Sequence, residues 1–215
     1  MKLKIGNQEV TARKWKAKEK KEFLNIVRTS DNMDGLQDVL VYNCLEEKVI
    51  FNPDEFKYAM SSIRSRSLGD EIELEFYCDN CKSKFLDTVK LSEIVKPVYS
   101  GENAIKTKNY KIKIGNIRNI EYYKEIIREN PLESREYDFY LRIESINSDD
   151  SLTLEEIIDL FDEMDIDEYD KIFEEWERIR FKVDDTVEIV CKKCSDSVKY
   201  SFDEIPGFFP PSWFK

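Results

Sequence analysis

Two Cys-x-x-Cys pairs, each set between alternating runs of residues, constrain this chain more than any other feature. Ile72-Glu73-Leu74-Glu75-Phe76-Tyr77 leads into Cys78-Asp79-Asn80-Cys81, and Val187-Glu188-Ile189-Val190 leads into Cys191-Lys192-Lys193-Cys194. Alternation of apolar and polar residues is the period of a half-buried strand, and Phe85 to Val89 and Val198 to Phe202 supply the returning strands. The spacing predicts two β-hairpins, each presenting a pair of thiols at its turn.

The similarity extends beyond the cysteines. Asp54-Glu55-Phe56 precedes the first pair by the same interval as Asp167-Glu168-Tyr169 precedes the second, and Lys2-Leu3-Lys4-Ile5-Gly6-Asn7 returns as Lys111-Ile112-Lys113-Ile114-Gly115-Asn116. A period of roughly a hundred residues is too long for a solenoid and suits paired subdomains. The competing account is chance similarity in a chain rich in Lys and Ile. The expected fold class is α+β, with two pseudo-repeated halves, each made of short strands, helices and a cysteine hairpin, joined at a zinc site. The expected boundaries are 1–96 for the first repeat, 97–109 for a linker containing Pro97, Gly101 and Asn103, and 110–215 for the second repeat.

Cys78, Cys81, Cys191 and Cys194 have the ligand spacing of a tetrahedral zinc centre in which each hairpin gives two sulfurs. About a hundred residues separate the pairs, more than in an ordinary zinc ribbon, so the hairpins must come face to face. One departure is that Lys82 and Ser195 stand where a glycine often follows the second cysteine. A redox Cys-x-x-Cys belongs at a helix N-terminus, which these strand-flanked pairs lack. Reduced cysteines without metal are the remaining alternative. Four thiolates would fill the coordination sphere and leave no catalytic position. Cys44, the fifth cysteine, lies in the apolar run Val39 to Leu45 and reads as a core residue.

Composition narrows the functions. The chain has 215 residues, 41% hydrophobic content and a formal net charge of -11, with no histidine. Lack of histidine removes the commonest general base and the commonest metal ligand. A net acidic chain is a poor match for phosphate neutralisation, although Lys14-Trp15-Lys16-Ala17-Lys18-Glu19-Lys20-Lys21 offers a local basic run. That run reads more simply as a solvated helix face. No apolar run reaches the roughly 18 residues needed to span a bilayer, and the lysine-rich start lacks a signal-peptide core, so the expectation is a soluble intracellular protein without membrane partners. The acidic stretch Asp162 to Asp170 lacks the glycine and terminal glutamate of a calcium loop and matches a capped helix start. No glycine-rich phosphate loop and no singled-out carboxylate pair suggests a small-molecule substrate or an enzyme.

Local patterns predict strands at Lys2–Ile5 and Glu9–Ala12, and helices over 17–28, over the stripe Leu36, Val39, Leu40, Tyr42 and Cys44, and from Pro53 with Asn52 as cap to Ser67-Leu68-Gly69. The second half is expected to carry helices over 120–127, through Tyr137, Tyr140, Leu141 and Glu144, after the cap-like Ser151 to Glu156, and from Tyr169 to Ile179. The chain closes on Phe208, Phe209, Pro210, Pro211, Trp213 and Phe214. These aromatics either fold back over the hairpins or dock on another subunit, and we take Phe208, Phe209, Trp213 and Phe214 as candidate partner-binding residues.

The run Ser61 to Leu74 leading into Cys78-Asp79-Asn80-Cys81, the segment Trp15 to Lys21, and the Cys191 pair followed by Gly207-Phe208-Phe209 together resemble the baseplate hub assembly protein family of T-even-type contractile-tailed bacteriophages. The resemblance implies a role in phage tail morphogenesis through contacts with other baseplate or tail proteins, in the host cytoplasm during assembly or in the virion tail. It carries over no catalytic residue, and Pro210-Pro211-Ser212-Trp213 has no match in the family. The alternative from the residues alone is a zinc-ribbon adaptor that binds nucleic acid or transcription machinery through its basic segment; an oxidoreductase is a distant third.

Overall fold

A computed structural model of the chain describes residues 1–29, 36–117 and 134–201. Strands β1 (Lys2–Ile5) and β2 (Gln8–Thr11) form an antiparallel hairpin whose turn begins at Gly6, with a φ of 58° that glycine adopts without strain. Helix α1 (Ala17–Thr29) follows. The predicted second helix is divided into α2 (Leu36–Leu40) and a 3-10 turn at Tyr42–Cys44. The division has a tertiary cause: Leu40 O accepts from Trp15 Nε1 at 2.7 Å and Cys44 O from Arg13 N at 2.8 Å, so carbonyls at both ends of the turn are taken by the segment that follows β2.

Helix α3 (Pro53–Leu68) starts as its sequence requires. Pro53 fills the first turn, while Asn52 Oδ1 accepts from Glu55 N at 2.9 Å and Glu55 Oε2 accepts from Asn52 N at 3.0 Å, closing a capping box. Gly69, at a φ of 99°, ends it. The first cysteine hairpin is β3 (Glu71–Tyr77) and β4 (Lys84–Lys90), followed by the short helix α4 (Leu91–Ile94). Part of the expected linker is sheet: β5 (Lys96–Val98) pairs with β9 (Lys182–Asp184), and β6 (Ala104–Lys106) opens a three-stranded sheet.

In that sheet β7 (Lys111–Ile114) is central, between β6 and β8 (Ile143–Ile146). Helix α5 (Ser134–Tyr140) stops short of Glu144, which corrects the expected helix through that residue. Ile143 and Ile146 are drawn into the core by pairing with β7, and Glu144 then lies on the open face, 2.6 Å from Lys113 Nζ. Helix α6 (Leu154–Asp162) begins with a second capping box, between Thr153 and Glu156. Helix α7 (Ile166–Ile179) has Asp167 and Glu168 in its first turn, as α3 has Asp54 and Glu55, but no side chain caps it. The second cysteine hairpin is β10 (Thr186–Val190) and β11 (Ser197–Ser201). The expected helix over 120–127 lies outside the described residues, as do Phe202 and the aromatic tail.

The buried apolar side chains fall into separate clusters. Leu3, Ile5, Val10, Phe23, Val39 and Ile63 form one; Ile112, Phe139, Phe161, Ile172 and Trp176 form another. Each fully buried side chain of this size stabilises by about 1.5–3 kcal/mol. Phe181, from the second half, is buried in the first core. A third cluster joins Ile72, Leu74, Phe76 and Ile94 to Ile189 of the opposite hairpin. No described helix is long and apolar enough to cross a membrane.

Candidate metal centre

Both hairpins turn in the same way at their cysteines. Cys78 N donates to Ser83 O at 2.9 Å and Cys191 N to Asp196 O at 2.8 Å, five residues on in each case. The residue after each second cysteine is left-handed: Lys82 has a φ of 56° and Ser195 of 61°. The missing glycines therefore do not change the turn. The backbone adopts the glycine conformation with an ordinary side chain attached, at a cost of about 1–2 kcal/mol each.

The chain folds so that these turns meet. The sulfurs of Cys78, Cys81, Cys191 and Cys194 all lie within 4.8 Å of one another. Contacts between hairpins are close, with Cys78 Sγ 3.6 Å from Cys194 Sγ and Cys81 Sγ 3.6 Å from Cys191 Sγ. Tetrahedral thiolate coordination with bonds of about 2.3 Å requires sulfurs about 3.8 Å apart. The four cysteines could hold a metal ion. Cys78 and Cys191 are buried while Cys194 is exposed, so the centre sits at the surface with one inner sulfur from each hairpin.

Electrostatics favours a cation here. Burial opposes ionisation of Cys191, but the backbone N–H groups of Cys194 and Lys193 and the Ser83 hydroxyl hold its thiol down at about 6. The Ser83 side chain and N–H also lower Cys81. The N–H of Asp196 favours the Cys194 thiolate, yet burial and the neighbouring sulfurs push that thiol up to about 12. Sulfurs this close cannot all ionise side by side without a positive charge among them. Four sulfurs would saturate a tetrahedral ion, so the arrangement can tie and orient but leaves no open position for a substrate.

Other contacts hold the hairpins together. Tyr200 Oη accepts from Tyr77 N at 2.6 Å and donates to Tyr77 O, capping the free edge of β3. Lys192 Nζ donates to Leu86 O at 2.6 Å and pairs with Asp87 at 3.0 Å, on the outer edge of β4. The rings of Phe76 and Tyr200 meet edge to face, with centroids 4.7 Å apart.

A second junction between the halves was not anticipated from sequence. Arg142, in the turn between α5 and β8, donates through Nη2 to Glu55 Oε2 at 2.7 Å and through Nε to Asp138 Oδ1 at 2.8 Å. Asn52 Nδ2 donates to Asp138 Oδ2 at 3.2 Å. All four residues are buried. The capping-box spacing Asn52-x-x-Glu55 and the i,i+4 pair Asp138 and Arg142 inside an apolar run were the available signals. Beside this network both Gly-Asn turns, Gly6-Asn7 and Gly115-Asn116, line one cavity of about 30 Å³.

The basic segment is partly committed to the fold. Trp15 N donates to Ser67 Oγ at 2.9 Å and Trp15 Nε1 to Leu40 O at 2.7 Å, which fixes the indole against the first core. Arg13 and Lys18 both pair with Glu19. Cys44 is buried, and that burial pushes its thiol up to about 11, as a core cysteine requires. Phe208, Phe209, Trp213 and Phe214 lie outside the described residues.

Comparison with known families gives one match: the model described as T4 bacteriophage base plate protein aligns with residues 1–210. No curated protein and no solved structure matches the chain.

Proposed function

Because the chain belongs to the T4 bacteriophage base plate protein family, we propose that it is a non-enzymatic structural or assembly protein of the baseplate hub, acting by contact with other tail proteins. The observation that carries this reading, beside the family itself, is the convergence of four sulfurs from sequence-distant hairpins to within 4.8 Å of one another. The ion would be Zn²⁺, held by Cys78, Cys81, Cys191 and Cys194. It would fasten two related halves, 1–96 and 110–215, into a rigid scaffold. Structural zinc of this type stabilises small domains by on the order of 10 kcal/mol. Phe208, Phe209, Trp213 and Phe214 would dock on a neighbouring baseplate subunit. Nothing favours a nucleic-acid adaptor: the net charge is -11, and Trp15, the aromatic of the basic run, is packed on the core.

The test has two arms. Purified protein should contain one zinc per chain, and cobalt substitution should give the visible spectrum of tetrahedral tetrathiolate coordination; Cys78→Ser and Cys191→Ser should each abolish it. Protein lacking metal, or a spectrum unchanged by both substitutions, refutes the zinc clasp. For function, the chain should co-assemble with baseplate proteins expressed together, and truncation after Asp203 should weaken that assembly without changing metal content. Co-assembly unaffected by the truncation rejects tail docking, and its absence in the intact chain rejects the assembly role.

A further inference from the structure

We propose that the free edge of β1 is a strand-acceptor site, which takes an extended segment of a partner protein with an acidic residue between apolar ones. The template is inside the molecule. β1 and β7 have the sequences Lys2-Leu3-Lys4-Ile5-Gly6-Asn7 and Lys111-Ile112-Lys113-Ile114-Gly115-Asn116, and the same inward alternation. Yet β7 is central in a three-stranded sheet, whereas β1 has one neighbour among the described residues.

Hydrogen-bond parity shows which edge differs. Ile114 N donates to Asn103 O at 2.8 Å, so Ile112 and Ile114 turn their backbone groups toward β6. Residues 111 and 115 turn toward β8, where Asn147 N reaches Lys111 O at 2.9 Å and Gly115 N reaches Arg142 O at 2.8 Å. In β1 the exchange between Met1 and Ala12 sets Met1, Leu3 and Ile5 toward β2. β2 thus takes the place of β6. The N–H and C=O groups of Lys2, Lys4 and Gly6 occupy the edge that β8 covers on β7, and no described residue bonds them.

The side chains specify the occupant. On β8, Glu144 pairs with Lys113 at 2.6 Å, and its carboxylate lies over Gly115, where any Cβ would overlap it. Lys4 holds the place of Lys113, is exposed, and forms no ion pair among the described residues, since Glu9, opposite it on β2, is paired with Lys2. An incoming strand with the pattern of Ile143-Glu144-Ser145-Ile146 would give Lys4 its acid. Beside Met1 to Leu3 opens a cavity of about 330 Å³ whose border mixes Tyr58, Leu91 and Pro97 with Ser62, Arg66 and Asp70, room for a side chain of that strand. Ser61 Oγ, buried without a partner, lies on the same cavity. A second copy of this chain is a poor occupant. Antiparallel pairing of two β1 strands centred on Leu3 sets Lys2 against Lys4, and like charges directly opposite are unfavourable. Main-chain bonds would supply affinity and the Lys4 carboxylate contact the selectivity, as in strand addition generally.

The experiment titrates the full chain with a synthetic peptide spanning residues 141–149, as surrogate for the partner strand, and follows amide exchange by NMR. Binding should slow exchange of the Lys2 and Lys4 amides about tenfold or more and leave Leu3 and Ile5, already bonded to β2, unchanged. Lys4→Glu should weaken the peptide about fivefold, and the Glu144→Lys peptide should restore affinity to that variant. Three results overturn the proposal: no added protection at Lys2 and Lys4; protection that appears without peptide and grows with protein concentration, which assigns the edge to a second copy; or indifference of binding to the charge swap.

Discussion

Replacement of Arg142 by Met should unlock the buried junction between the halves. Methionine keeps most of the aliphatic length but removes the guanidinium, leaving the side chains of Glu55, 2% exposed, and Asp138, 7% exposed, without their shared cation. Removing one member of a buried ion pair costs about 3–5 kcal/mol, because the partner charge stays behind unsolvated. In a chain of this length 1 kcal/mol moves Tm by about 2–4 °C, so the melting temperature should fall by about 6–20 °C. Urea titrations of variant and wild type at pH 7 and pH 4 give the decisive comparison. Burial already raises the Glu55 carboxyl above its ordinary value, against the pull of Arg142. Without the guanidinium the folded state holds protons that the unfolded chain has released, so the variant recovers stability as pH falls toward the ordinary carboxylate range. Its deficit should therefore be smaller at pH 4 than at pH 7. A loss under about 1 kcal/mol at pH 7, or an equal deficit at both values, would show that Arg142 does not neutralise this site.

Other perturbations follow from the same geometry. Lys82→Gly and Ser195→Gly each relieve a left-handed side chain, with φ of 56° and 61°, and should raise the unfolding free energy from urea titration by about 0.5–1 kcal/mol apiece; a lower value contradicts the assignment of the turns. Burial works against the Glu19 and Glu177 carboxylates, but Arg13 beside the first and Arg180, Lys182 and Arg135 around the second hold both at about 2. Because these values lie below the unfolded one, their stabilisation is complete above about pH 5 and is lost as pH falls toward 2, on the order of 2 kcal/mol each. Glu177→Gln should flatten that acid limb, and an unchanged limb counts against the ion cluster. Asn52→Ala should cost about 2 kcal/mol and Thr153→Ala about 1 kcal/mol by thermal melting. Both lose a helix cap, but only Asn52 also leaves the buried Asp138 carboxylate short of a donor.

What could be read from sequence was what local chemistry decides. Alternation and turn residues gave both cysteine hairpins. Asn52, Pro53 and Gly69 bracketed α3 because capping and left-handed closure act within a few residues. The helix expected through Glu144 failed for a non-local reason: Tyr137, Tyr140 and Glu144 keep helical spacing, but pairing of Ile143 and Ile146 with β7 overrides it. The Glu55 and Arg142 contact spans 87 positions, and no window of sequence reveals which buried carboxylate a distant arginine will meet. At the cysteines the departure from glycine at Lys82 and Ser195 was visible, but its insignificance was not, since backbone angles are set by the surrounding hydrogen bonds.

The junctions between the halves differ in kind from the cores they join. Apolar packing inside each half is non-directional, and Leu3 or Phe161 would tolerate a small sliding of one half on the other. Beside the apolar contacts of Phe181 and Ile189, the contacts across include directional ones: a fork from Arg142 to carboxylates on two helices, a Tyr200 hydroxyl held by both backbone groups of Tyr77, and four sulfurs within 4.8 Å of one another. The hydrogen-bonded ones lose most of their energy when displaced by an ångström, because hydrogen bonds have narrow optima. Buried ion pairs add little net stability over an apolar contact of equal size, so retention of one here is better explained by alignment than by strength.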